Sequence, residues 1–95
     1  MERSDILELL VAIKPKLSAD YGVEQIGVFG SIARNEGKTD SDIDIAVVMP
    51  PDLYKMVHAK EDLEEALQST IDLIRYSKYM YAPLRRRIEL EAVYV

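Results

Sequence analysis

Asp42 and Asp44, two residues apart, are the side chains of this 95-residue chain whose spacing best suits chemistry. In an extended strand, residues i and i+2 face the same way with their Cα atoms about 6.6 Å apart, so both carboxylates emerge on one side. Ile43 and Ile45 then point into a core and fix the register. The two charges repel, and no basic residue adjoins them in sequence to relieve it. A hard divalent cation would. Mg²⁺ takes one or two carboxylates and completes its shell with waters and substrate phosphates. An exposed polar strand face near a turn is the other reading, and the pair alone leaves both open.

Asp72 supplies a third acid. It interrupts the apolar run Ile71-Asp72-Leu73-Ile74, where aspartate has poor strand propensity and is costly to bury unpaired. If that strand lies beside 41–49, three carboxylates share one site. Three acids can hold two ions about 3.5–4 Å apart, the arrangement that polarises attacking and leaving oxygens in phosphoryl and nucleotidyl transfer. A surface position on an edge strand, or an ion pair with Arg75 or Arg34, is the alternative.

Gly30-Ser31 offers the complementary half. A glycine closing a strand just before a helix leaves backbone N–H groups free for an anion, and the serine hydroxyl adds a donor. The spaced Gly-Lys-Ser/Thr of a P-loop is missing, so that ATPase class is excluded. A plain helix cap explains the dipeptide equally well. Arg34, one turn on, can reach a phosphate or an aspartate, or simply face solvent. The single histidine, His58, falls mid-helix at a surface or boundary position. Tyr76-Ser77-Lys78-Tyr79-Met80-Tyr81 with Arg85-Arg86-Arg87 has the composition of a binding surface, or of an aromatic face for a base, or of a cover for the sheet end.

The elements that must position these groups follow from periodicity and turn chemistry. A helix is expected from Ser4, as N-cap, to about Asp20, kinked or divided at Pro15. Strands are expected at Glu24–Phe29, Ser41–Met49 and Thr70–Arg75. A short helix follows Gly30 over Ser31–Asn35, and 36–40 is a polar turn. A helix capped by Asp52 runs to about Gln68 with Leu53, Met56, Val57, Leu63 and Leu67 on one stripe. Tyr76–Ala82 is a loop, Pro83 opens a last helix over Leu84–Glu91, and 93–95 is a possible final strand. Only the 52–68 helix can serve as a parallel crossover. The fold class is therefore α/β (α+β): a small mixed sheet of three to four strands with helices packed mainly on one face.

Composition narrows the functional classes. The chain is one domain, residues 1–95, with no cysteine and one histidine, which excludes thiol chemistry, iron–sulfur clusters and a His-based metal cage. No apolar run approaches the roughly 20 residues of a membrane span, and a cytoplasmic location is expected. The net charge of −5 argues against general nucleic-acid binding. It is unevenly spread: residues 1–74 carry 15 acids and 7 bases, residues 75–95 carry 5 bases and 2 acids.

Taken together, Gly30-Ser31 and Asp42-Ile43-Asp44, set within Val-Phe-Gly-Ser-Ile-Ala-Arg and Ser-Asp-Ile-Asp-Ile-Ala-Val, resemble the DNA polymerase β-like nucleotidyltransferase superfamily. The nearest branch is the minimal nucleotidyltransferases (MNT). The resemblance spans nearly the whole chain and implies the nucleotidyltransferase fold. It implies that ATP is bound with Mg²⁺ and its AMP passed to an acceptor with release of pyrophosphate. Gly30 and Ser31 would hold the triphosphate, with Arg34 nearby. Asp42 and Asp44 would bind both metals, and Asp72 the one nearer the acceptor, helping to deprotonate it. Many MNT proteins are antitoxins that adenylylate a tyrosine of a small helical HEPN ribonuclease toxin, and a type VII-like antitoxin role in a hetero-oligomer is the corresponding expectation. Neutralisation of the partner by binding alone, as a non-catalytic nucleotide-binding antitoxin or subunit, is the rival. Asn35 stands where the family usually has glycine.

Overall fold

The computed structural model describes residues 2–36 and 42–95. The expected polar turn, beyond Glu36, and Ser41 at the head of the paired-aspartate strand lie outside the described residues. The elements run α1 (Arg3–Tyr21), β1 (Gln25–Phe29), α2 (Gly30–Ala33), β2 (Ile43–Val48), α3 (Leu53–Leu67), β3 (Ile71–Arg75), α4 (Ala82–Glu91) and β4 (Val93–Tyr94). They form a mixed four-stranded sheet in the order β3-β2-β1-β4. β1 pairs antiparallel with β2 and β4, and β2 pairs parallel with β3. The parallel pair is joined by α3, the one connection with the length for it.

Alternation along the strands sorts side chains between two faces. Ile26 and Val28 of β1, Ile43, Ile45 and Val47 of β2, and Ile71 and Leu73 of β3 face the two long helices. They pack there with Ile6, Leu10 and Leu17 of α1 and Ala59, Leu63 and Leu67 of α3. On the other face Phe29 and Ala46 pack with Ile88 of α4, flanked by Ile74, Met80 and Leu84. The long helices thus cover most of one face. α4 covers part of the other and leaves Asp72 in the open.

Three local expectations give way to specific causes. α1 begins before Ser4, because the Asp5 carboxylate accepts the backbone N–H of Glu2 at 3.0 Å and moves the cap to Glu2. Pro15 does not divide the helix. Its ring frees only the carbonyl of Val11, and both residues are exposed, so water can satisfy that group. On α3, Leu53 (78% exposed) and Val57 (48%) leave the expected stripe. Val57 lies about 100° around the helix from Met56, which packs on the core, and Leu53 sits in the exposed first turn.

The two long helices are tied together at Asp62. Its Oδ2 accepts from Lys16 Nζ at 2.6 Å and from Tyr21 Oη at 2.7 Å. The Lys16 bond, then the Tyr21 bond, hold the Asp62 carboxyl below its ordinary range. A depressed carboxyl contributes stability above its unfolded pKa, and that contribution is lost as pH falls through the folded value. Asp62→Asn is therefore expected to lower the urea midpoint at neutral pH, with the gap to wild type closing under acid. A gap that stays constant in urea melts from neutral to strongly acidic pH contradicts this.

Candidate active site

The site is laid out by strand register. In the parallel β2–β3 pair Asp44 stands opposite Asp72, and in the antiparallel β1–β2 pair Asp44 stands opposite Phe29. Phe29, Asp44 and Asp72 form one row across three strands, on the face away from the long helices. Ile43 (3% exposed) and Ile45 (0%) on either side of Asp44 are held in the core, and a slip of one residue would bury the aspartate instead. Asp42 lies just ahead of β2, exposed.

Asp44 is half-buried, and its carboxyl is raised above the ordinary range. Burial is the largest cause, the charge of Asp72 the next, and Asp42 adds to it. Arg87 and, more weakly, Arg34 pull the other way without cancelling the rise. Among the described residues none of the three aspartates is in a salt bridge. Asp72 is exposed rather than buried, so its place in an apolar strand reflects an open edge strand and not a desolvated partner. The alternative pairing with Arg75 is not made; Arg75 Nε donates to the Met49 carbonyl at 2.9 Å.

The Gly30 turn seats directly against this acid. Phe29 is extended, Gly30 has φ of 75°, and the single turn of α2 follows. A β-carbon at residue 30 would overlap Asp44 Oδ2 and lie 3.2 Å from its Cγ. Only glycine gives both the left-handed backbone and the room. Ser31, half-buried, comes next on α2. The turn is closed by Arg34 N–H donating to the Gly30 carbonyl at 3.2 Å and Glu36 N–H to the Ser31 carbonyl at 2.8 Å. Asn35 has φ of 59°, a conformation asparagine tolerates, so its replacement of the customary glycine keeps the turn.

Arg34 is held at both ends of its guanidinium: Nε donates to Glu36 at 2.9 Å, and Nη1 to the two Glu91 oxygens at 2.8 and 2.9 Å. Glu91 belongs to α4, like Arg87 of the basic run 85–87, and was not singled out by sequence. The available signal was the spacing of Leu84 and Ile88, which seats α4 on Phe29 and Ala46 and swings its basic and acidic side chains toward the site. Tyr79 (94% exposed) and Tyr81 (74%) stand in solvent, so they do not cover the sheet end. His58 is partly buried against Tyr54, ring centroids 4.3 Å apart.

The donor set is all carboxylate oxygen, which suits a hard cation. Among the described residues no three acidic or imidazole side chains are arranged to enclose an ion unaided. An ion here would complete its shell from water and phosphate, the usual habit of Mg²⁺.

Comparison with known proteins places this geometry. The family model described as "Polymerase beta, Nucleotidyltransferase" matches residues 12–95. The protein adenylyltransferase MntA of Thermococcus cleftensis is 39% identical over 93 residues, covering 96% of this chain and 93% of the relative. A solved structure named as a minimal nucleotidyltransferase superposes with a TM-score of 0.80 at 28% identity, covering 98% of this chain and 95% of that one. A toxin–antitoxin structure with AMP-PNP gives a TM-score of 0.68 at 25% identity, over 99% of this chain and 72% of that one.

Two stability measurements test the layout. A raised acid costs nothing below its unfolded pKa, and its cost grows as pH rises through the folded value. Asp44→Asn should therefore raise Tm at neutral pH by roughly 2–5 °C, discounted for partial solvation, and leave it unchanged in acid. Gly30→Ala should cost about 1–3 kcal/mol, part of which is recovered when Asp44 is also replaced by Ala. Additive effects of the two replacements would remove the contact.

Proposed function

Because the chain belongs to the polymerase β-type nucleotidyltransferase family, we propose that it is a Mg²⁺-dependent protein adenylyltransferase, passing AMP from ATP to a tyrosine of a partner protein. The partner is a small helical HEPN-type toxin, and the modification silences it. The observation that carries this reading is the register that sets Asp44 beside Asp72 with the Gly30 turn against Asp44. The Thermococcus relative's name as a protein adenylyltransferase and the toxin–antitoxin structure with AMP-PNP support it.

In this reading Gly30 and Ser31 hold the triphosphate through backbone N–H groups and the serine hydroxyl. Arg34, braced by Glu36 and Glu91, forms the cationic edge of that turn. Asp42 and Asp44 would hold magnesium, with Asp72 beside them, and the ion would supply positive charge against the triphosphate. Asp72 stands exposed on the edge strand, where a protein acceptor can reach it. The tyrosine oxygen attacks the α-phosphorus, the bond to pyrophosphate breaks, and the phenolic proton passes to Asp72.

The exposed Tyr79, Tyr81 and Leu90 favour a binding surface as well, and neutralisation by occlusion is the competing reading. Incubation with ATP labelled at its α-phosphate, Mg²⁺ and the partner separates the two. Asp42→Asn and Asp44→Asn should each lower labelling of the partner by several kcal/mol of barrier, on the order of 10³-fold, with the fold retained. Full labelling by either variant removes the assigned roles, and protection of cells by the variant lacking all three aspartates favours occlusion.

A further inference from the structure

The helix α4 presents a second guanidinium to the site, differently held from Arg34. Ile88, fully buried between Phe29 and Ala46, fixes the position of α4 over the sheet. Arg87, the residue before it, places its Cζ 5.9 Å from the centroid of the Phe29 ring. Phe29 is the register partner of Asp44 and the residue that leads into Gly30-Ser31. The guanidinium therefore hangs over the Phe29 end of the row, above the residue that leads into the Gly30-Ser31 turn. Arg34 is committed to two carboxylates at hydrogen-bond distance, whereas Arg87 has, among the described residues, one loose ion pair, Nη2 to Glu91 Oε1 at 3.9 Å, and a half-exposed side chain. Arg87 is also the stronger of the two positive charges acting on Asp44.

We propose that Arg87 is the substrate-binding residue that recognises the terminal phosphates of the nucleotide, reaching across from α4 to the ligand on the Gly30-Ser31 turn. This rests on the nucleotidyltransferase reading and deepens it. Held by a loose ion pair, the planar fork of Arg87 is available for phosphate oxygens. A stacked cation over Phe29 needs little reorganisation to do so, and the fork gives paired bonds that a lysine cannot reproduce. Ile88 thereby aims the arginine, and Glu91 lies between the two cations, paired with both.

The test is calorimetric titration of the intact chain with ATP and with AMP in the presence of Mg²⁺, for wild type, Arg87→Ala, Arg87→Lys and Arg86→Ala. Arg86 lies on the same helix, exposed, and controls for net charge. Loss of charge-assisted phosphate bonds predicts that Arg87→Ala weakens ATP about 10–100-fold and AMP far less. Arg87→Lys should restore only part of this, and Arg86→Ala should leave the ratio of ATP to AMP affinity unchanged. An unaltered ratio in Arg87→Ala, or the same loss in Arg86→Ala, overturns the proposal while the nucleotide site stands. A wild-type chain that binds neither nucleotide overturns the nucleotidyltransferase reading, and this inference with it. Thermal melts show whether Arg87→Ala remains folded; if it does not, the ratio in Arg87→Lys decides.

Discussion

The crowding of like charge around one half-buried carboxylate organises this molecule. Asp44 is hemmed in by the Gly30 turn on one side and by Asp72, its register partner on the parallel neighbour, on the other. Such an arrangement is unfavourable in isolation, and burial and repulsion both press its carboxyl toward protonation. It persists because the opposite face of the same strands is locked. Ile43, Ile45, Val47 and Ile71 are packed under α1 and α3, so the strands cannot slide or roll to separate the acids. The hydrophobic core thus holds in place a crowding of charge that a bound cation would relieve, the general logic by which a scaffold preorganises a charged ligand site.

Much of this was legible in the chain itself, for physical reasons that differ by element. Alternation in Ile43-Asp44-Ile45 specifies which way the aspartates face, since a two-residue period admits one buried set. The length of the 52–68 helix identifies the single parallel connection, and that connection brings residue 72 beside residue 44. Other features depend on partners distant in sequence and were not legible. The exposure of Asp72 follows from β3 being an edge, a property of strand order rather than of residues 70–75. Pro15 is tolerated because the helix face it disrupts meets solvent. The role of Glu91 requires knowing that α4 lies against the far side of β1, where it meets both Arg34 and Arg87.

The two faces divide the work. The face under the long helices supplies rigidity and contains the fully buried side chains of α1 and α3. The opposite face is only partly covered, with α4 and its arginines at one end and the acidic row running out to the open edge at β3. A nucleotide bound between them would meet Arg34, just past α2, and Arg87 of α4 on one flank and carboxylates on the other. Its reacting end would then point toward the strand a partner protein can approach.

The claim most directly open to measurement is that the acidic row is where a divalent ion and nucleotide meet. Titrating the isotopically labelled chain with trace Mn²⁺ in the presence of ATP, and following paramagnetic broadening of backbone amide resonances, locates the ion. The account predicts broadening centred on residues 42–44, 72 and the 30–31 turn, abolished by Asp44→Asn. Broadening centred instead on the acidic face of α3, around Glu61, Glu64 and Glu65, would contradict it.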